Sequence, residues 1–351
     1  SVPDNQDLLR YFESSDWVVG DGQLYVSVFS EYPLLANLLF ASVRILNALA
    51  GGNFLGFSIL WISLSACVTG YTCHTALQFI HARFPLRNDW WAALAWLSPG
   101  ILFFSVMRFD IYPALATLLM LIHLSRRQNT QAAIYLGIAI SLKGYALIFL
   151  PAIALFLHIN QGIREAFRFC LLALALPLLS LLIVLSYADW QALLSPFQFH
   201  AQRAYNPDSI YLLLHQLTGT NINDPSWQQL PKALQVFWVI LPFWLKPSSF
   251  NELIETLTLV LLGVMSFSVF YSPQFAIWLL PIISLSAATR STIWLLVYSL
   301  ATIGYFLVAG NQEPSTLLLL ITVLAILRFG LMGNALFNIY SGRYRTDRST
   351  A

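Results

Sequence analysis

Residues 167–187 read FRFCLLALALPLLSLLIVLSY, and this stretch decides the class of fold. It contains no charged residue after Arg168, and its apolar residues run on without the alternation of a barrel strand. A run of about 20 apolar residues is long enough to cross a bilayer as an α-helix. The stretch therefore predicts a helix that spans a membrane.

The composition of the whole chain agrees with this prediction. Of its 351 residues, 58% are hydrophobic and only 10% are charged, against about 25% charged in an ordinary soluble domain. A soluble fold of this size still exposes about a quarter of its chain surface, which so apolar a chain could not cover with polar groups. The composition excludes a soluble enzyme, a disordered protein and a disulfide scaffold, and it predicts an all-α polytopic membrane protein.

Hydropathy predicts about eleven spans in this chain. They are 54–79, 89–106, 112–124, 131–143, 145–158, 167–187, 233–246, 251–271, 274–288, 291–309 and 315–334. The segment 33–50 is ambiguous because Arg44 lies near its middle, and we interpret it as a helix on the outer surface. Most of the eighteen Lys and Arg residues then fall on one side, which the positive-inside rule places in the cytoplasm.

This topology divides the chain into five parts. They are an outer loop with the surface helix (1–53), a first transmembrane bundle (54–187), a large outer loop (188–232), a second transmembrane bundle (233–335) and a cytoplasmic tail (336–351). Loops this long usually carry function, so the outer face is where we expect the site.

Polar residues at the predicted outer face are the candidates for chemistry. Asp7 and Tyr11 lie one helical turn apart, and a carboxylate there is either a general base for a sugar hydroxyl or a solvated acid. Arg108 and Asp110 form either an interfacial ion pair or part of a site, because charges at the edge of hydrocarbon are expensive. Lys143, just before Gly144, must snorkel, pair with an acid or bind an anion such as a lipid phosphate.

Two further segments contain candidate site residues, with weaker support from the sequence. Arg203 and Ser209 stand out in the large outer loop, where an arginine suits a phosphate or is simply solvated. Gln274 lies in Tyr271-Ser272-Pro273-Gln274-Phe275, which is either part of an aromatic belt or part of a site. The cysteines and histidines show no ligand spacing, so no metal is expected, and no basic run indicates nucleic-acid binding.

Taken in order, these motifs resemble the outer-face segments of GT-C membrane glycosyltransferases, above all glycosyltransferase family 87, the polyprenyl-phosphate-mannose-dependent mannosyltransferases. The motifs are Asp7-Leu8-x-x-Tyr11, Gly22-x-x-Tyr25, Glu31-Tyr32-Pro33-Leu34, Arg108-Phe109-Asp110, the helix from Gly137 to Tyr145 with Lys143, Arg203 with Ser209, and Tyr271-Ser272-Pro273-Gln274-Phe275-x-x-Trp278. The sequence departs from the family pattern at Leu34, where a second proline is usual.

The resemblance implies a function. It implies an inverting transfer of a hexose, with mannose expected, from a polyprenyl-phosphate sugar donor to a glycan or glycolipid acceptor, without a cofactor. It also implies a multi-pass GT-C fold in a bacterial inner membrane, with the active site on the outer face and a first span that this chain lacks. The implied catalytic residues are Asp7, as the base, and Asp110, and the implied substrate-binding residues are Tyr11, Arg108, Lys143, Arg203, Ser209 and Gln274.

Two other classes of protein stay open on the sequence alone. A transporter or flippase of lipid-linked sugars would also have broken helices and buried charges, although it would predict repeated halves, which are not visible. A non-catalytic membrane subunit is the third alternative.

Overall fold

In a computed structural model, the protein is helical. The structure describes residues 5–85, 90–201, 205, 209–220, 225–309 and 314–350. Helix makes up 82% of the structure, and no β-strand occurs in the described ranges. The prediction of an all-α fold is confirmed.

Seventeen α-helices follow one another in these ranges. They are α1 (Asn5–Glu13), α2 (Leu34–Leu49), α3 (Phe54–Arg83), α4 (Trp90–Trp96), α5 (Pro99–Met107), α6 (Ile111–Ser125), α7 (Asn129–Leu142), α8 (Leu150–Gln161), α9 (Ile163–Leu185), α10 (Trp190–Ala201), α11 (Ile210–Thr218), α12 (Pro225–Ile240), α13 (Pro242–Leu245), α14 (Phe250–Ser266), α15 (Ala276–Ile283), α16 (Thr289–Ala309) and α17 (Pro314–Thr350). Short 3₁₀ turns lie at Asp16–Val18, Gly144–Phe149 and Pro273–Phe275.

Five helical stretches are long and apolar enough to cross a membrane. They are Phe54–Arg83, Gly144–Gln161, Ile163–Leu185, Thr289–Leu307 and Leu318–Gly342. The helices α4 and α5 would add a sixth span if they are counted together, although they are bent by 43° at the break before Pro99. A proline interrupts a helix there because it has no N–H and its ring clashes with the preceding turn. These helices fit a polytopic membrane protein, whereas the count of eleven spans and the GT-C type stay predictions.

The chain forms two compact units. Unit 1 consists of Ser1–Thr72, Leu102–Leu147 and Phe169–Arg203, and unit 2 consists of Cys73–Ile101, Ile148–Arg168 and Ala204–Ala351. The five parts predicted above follow the expected membrane boundaries, whereas the two units are defined by packing. The division into five parts stays a prediction.

In unit 1, α2 packs against the residues that precede it. The predicted helix at 33–50 is confirmed, and Pro33 stands directly before its first residue. Arg44, the charge in its middle, donates to Asp16 at 3.3 Å and to the Gly52 carbonyl at 2.8 Å. Its guanidinium also lies 4.0 Å from the ring centre of Phe12. The segment before α2 and the turn after it therefore supply the partners that a cation in an apolar helix requires.

The helices α6 and α7 pack closely against each other in unit 1. A short connection (126–128) joins them, so they pack as an antiparallel pair, and the start of α6 lies beside the end of α7. On its other side α7 comes close to α9. A Cβ atom built on Gly137 would lie 2.8 Å from the carbonyl oxygen of Ala173, which is too close for any side chain.

Unit 2 has its own packed helices. The long helix α17 packs against α14 and α16, and α4 also packs on α16. Gly100 allows a second close approach, because a Cβ there would lie 2.7 Å from the Ser299 carbonyl oxygen. At the same contact, the buried hydroxyls of Ser98 and Ser299 form a hydrogen bond of 2.8 Å.

We predict that Gly137→Ala destabilises the protein, because α7 and α9 would have to separate. Overpacking of this kind costs about 1–3 kcal/mol. Thermal unfolding in detergent measures the loss. The matched control is Gly70→Ala in α3, where nothing lies within 4 Å of the added Cβ. Its helix should gain up to about 1 kcal/mol. Equal stabilities of the two variants would contradict the close packing of α7 on α9.

The membrane orientation of unit 1 is tested by labelling introduced cysteines in a background without native ones. Ser27 and Gln128 are both exposed and lie before α2 and between α6 and α7. The predicted topology places the first outside and the second in the cytoplasm. We expect an impermeant thiol reagent to label Ser27→Cys, and not Gln128→Cys, in intact cells, with both labelled after permeabilisation. The reverse pattern would overturn the orientation.

Candidate active site

An ion pair at one end of the antiparallel pair α6 and α7 is the first part of the site. Lys143 Nζ donates to Asp110 Oδ1 at 2.7 Å, and Asp110 is fully buried. Asp110 directly precedes α6 and Lys143 directly follows α7, so the packing of the two helices brings them together. The helix dipoles favour this pair, since an acid is stabilised at a helix N-terminus and a base at a C-terminus. Of the three possibilities for Lys143, pairing with a carboxylate is the one observed, and its binding of an anion stays a prediction.

Two arginines and two acids form the second part. Arg108 makes an ion pair with Asp7. Arg10 donates to Glu31 at 3.3 Å, and its guanidinium lies 3.8 Å from Asp7. Asp7 and Glu31 are both buried, at 7% and 8% exposure. A buried carboxylate is stable only when it is paired, and each of these acids has a cation within reach.

The two parts of the site together form what we call the charge cluster. It consists of Asp7, Glu31, Asp110, Arg10, Arg108 and Lys143, so its three acids balance its three bases. Its members come from α1, the turn before α2, the residues just before α6 and the residue just after α7, all within unit 1. The predicted site residues Asp7, Arg108, Asp110 and Lys143 are therefore brought together, as a set with no net formal charge.

Aromatic residues pack directly beside the charge cluster. Tyr11 is 1% exposed. The centroid of its ring lies 4.4 Å from Phe40, 5.1 Å from Trp61, 5.6 Å from Tyr32 and 5.9 Å from Phe109. Burial raises the pKa of Tyr11 well above its ordinary value, so the hydroxyl stays protonated. Tyr11 belongs to a packed aromatic core, and its contact with a substrate stays a prediction.

A hydrogen-bonded turn fixes the backbone around Glu31. Asn37 on α2 donates to the carbonyls of Tyr32 and Pro33 at 2.8 and 3.1 Å and to the Tyr25 hydroxyl at 3.0 Å. Tyr25 adopts a positive φ of 66°, and its hydroxyl donates to the Tyr32 carbonyl. Burial raises the pKa of Tyr25, which keeps that donor protonated. The sequence landmarks Tyr25 and Tyr32-Pro33 therefore belong to one structural turn.

The remaining predicted residues are not part of the charge cluster of unit 1 as the structure describes it. Ser209 and Gln274 belong to unit 2. Ser209 is fully buried. Gln274 lies in the 3₁₀ turn Pro273–Phe275, and its buried Oε1 has no hydrogen-bond partner among the described residues. Arg203 lies outside the described residues. The substrate contacts predicted for these three residues stay predictions.

Sequence reasoning missed two members of the charge cluster, Arg10 and Glu31. Both lie in segments that the motif comparison had already singled out, and their opposite charges in an acid-rich segment were a usable signal. The contact of His200 on α10 with the Glu31 carbonyl at 3.1 Å had no such signal. Within the described part of the chain, no group of three His, Cys, Asp or Glu residues is placed to hold a metal ion.

Comparisons of the chain with protein-family models, with curated proteins and with solved structures found no match. The resemblance to GT-C enzymes rests on the motifs alone.

We predict that Lys143→Met destabilises the protein more than the double variant Asp110→Asn with Lys143→Met. Removing one partner of a buried ion pair leaves the other charge without compensation and costs about 3–5 kcal/mol, whereas replacing both is far milder. Thermal unfolding in detergent measures both. Glu165→Gln is the control, because its partner Arg168 is an exposed neighbour on the same helix, where ion pairs contribute little. A double variant less stable than Lys143→Met would contradict the importance of the pair.

Proposed function

We propose that the protein is an inverting membrane glycosyltransferase. It moves a hexose, with mannose expected, from a polyprenyl-phosphate sugar donor to a glycan or glycolipid acceptor at the outer face of a bacterial inner membrane. The observation that carries this proposal is the charge cluster, in which Asp7 and Asp110 lie among Arg10, Arg108 and Lys143 in one unit of an apolar, helical chain.

The chemistry of such a transfer needs two kinds of group. A base must take the proton of the acceptor hydroxyl as it attacks the anomeric carbon, and cations must stabilise the phosphate that leaves. Asp7 is the proposed base. Arg108 and Lys143 are the proposed phosphate ligands, since Arg and Lys are the side chains that bind phosphate most strongly. Asp110 holds Lys143 in place through their hydrogen bond.

A transporter of lipid-linked sugars is the second candidate. The observation that favours it is the bend of 43° between α4 and α5, since interrupted helices are typical of transporters. The two candidates differ in what they do to the sugar, because only the transferase changes its covalent bond. Reconstituted vesicles that move a labelled lipid-linked sugar across the bilayer without forming a new glycoside would favour the transporter.

The proposal predicts that Asp7→Asn abolishes sugar transfer. Asparagine keeps the shape of the side chain but cannot accept the proton, and a general base contributes about 100- to 10,000-fold. Transfer from radiolabelled polyprenyl-phosphate mannose to membrane glycolipids measures the effect. Asp16→Asn is the matched control, since Asp16 is an acid of the same segment that pairs with Arg44 rather than with the cluster. It should retain the parent rate. Activity of Asp7→Asn within about threefold of the parent would rule out Asp7 as the base, given the much larger loss expected.

A further inference from the structure

The cations and the acids of the charge cluster differ in exposure. The side chains of Arg10, Arg108 and Lys143 are 52%, 19% and 20% exposed. Those of Asp7, Glu31 and Asp110 are 9%, 8% and 0% exposed. The accessible edge of the cluster is therefore cationic, although the cluster as a whole is neutral. An anion that approaches this edge meets cations that the protein's own carboxylates already hold.

Arg108 is the cation best placed to change partner. The partner of Lys143 is completely buried, so moving Lys143 away would separate a buried carboxylate from the cation that pairs with it, at a high cost. The partner of Arg108 is Asp7, which Arg10 also approaches at 3.8 Å, so Asp7 keeps a cation nearby if Arg108 turns away. A guanidinium is also planar and can bind a phosphate through two parallel hydrogen bonds.

We propose that Arg108 is shared between Asp7 and the phosphate of the lipid carrier, and that it passes to the phosphate when Asp7 takes up a proton. This inference rests on the proposed function, since it describes the binding of the phosphate product at the same site. It goes beyond that function because it states that the base and the phosphate ligand compete for one guanidinium.

The step balances in atoms and charge. The acceptor oxygen forms a bond to the anomeric carbon and gives its proton to Asp7, while the bond between that carbon and the phosphate oxygen breaks and its electron pair stays on the phosphate. The donor phosphodiester carries one negative charge and the product phosphomonoester carries two. Asp7 loses its charge in the same step. Arg108 is therefore released by one carboxylate at the moment when the phosphate gains a charge.

The proposal makes a testable statement about binding. Asp7→Asn resembles the protonated carboxyl group in charge, so it should release Arg108 and strengthen the binding of the product. The probe is a short-chain polyprenyl phosphate, and its affinity is measured in detergent for the full chain. We expect Asp7→Asn to bind it roughly tenfold more tightly than the parent, the scale of one hydrogen bond between charged groups. The double variant Asp7→Asn with Arg108→Gln should lose this gain, and Asp16→Asn should bind as the parent does.

Each outcome separates the two proposals. Equal or weaker binding by Asp7→Asn overturns the sharing of Arg108, even if that variant has lost transfer. Tighter binding that survives in the double variant also overturns it, because Arg108 would not be the responsible cation. If the three variants bind as expected but the parent protein transfers no sugar, the sharing of Arg108 is supported and the proposed glycosyltransferase activity is contradicted. Asp7→Ser, which also lacks the carboxylate, gives the same test if the asparagine variant does not fold.

Discussion

The constraint on which unit 1 depends is that a carboxylate cannot stay buried and charged without a cation. Asp110 is fully buried, and its partner Lys143 comes from the far end of the next helix. The ion pair is satisfied only if α6 and α7 lie antiparallel along their whole length. Charge pairing and helix packing therefore require the same arrangement, and Gly137 permits the close approach of α9 on the other side of α7.

The tripeptide Arg108-Phe109-Asp110 joins the charges to the aromatic core. Arg108 pairs with Asp7, and Asp110 pairs with Lys143. Between them, the Phe109 ring lies 4.5 Å from Lys143 Nζ and packs against Tyr11 and Tyr32. The packed rings keep water away from one side of the charges, and interactions between charges are stronger where water is excluded. Three consecutive residues thus place α1, the turn before α2 and the end of α7 around one point.

The sequence predicted the bounds of some helices closely, but it did not predict α1, α10 and α11, which lie in segments taken as outer loops, and it predicted contacts only in part. The apolar segments predicted at 112–124 and 131–143 correspond to Ile111–Ser125 and Asn129–Leu142, because hydropathy changes where these helices end. Hydropathy depends on composition and not on the direction of the helix axis. The apolar run at 89–106 was therefore predicted as one span, whereas the structure has a bend between α4 and α5. The presence of charges at the edges of apolar segments identified Arg108, Asp110 and Lys143 as candidate site residues. It could not tell that Arg108 pairs with Asp7, since that choice depends on how α1 packs.

Unit 2 connects a buried acid to an exposed arginine in a different way. Glu255 on α14 accepts a hydrogen bond from Ser286, and Ser291 and Asn334 continue the chain of bonds to Arg290. A serine hydroxyl has one proton, so if Ser286 gives its proton to the carboxylate, Ser291 must donate to Ser286 and must itself accept from Asn334. The bonds then all point from the guanidinium to the carboxylate, and each one polarises the next.

Such a chain ties α14, α16 and α17 together without a direct pairing of the two charges. It suits a structural role, because its donors and acceptors are engaged with one another. In the charge cluster of unit 1, by contrast, the cations pair directly with carboxylates. Ser286, Ser291 and Asn334 are buried, so the hydrogen bonds between the two charges of unit 2 are closed to an incoming molecule, although Arg290 itself is exposed. The unit 1 cluster gathers three cations and three carboxylates, whereas this network of unit 2 joins one of each through neutral groups, and that difference is the reason to place chemistry in unit 1.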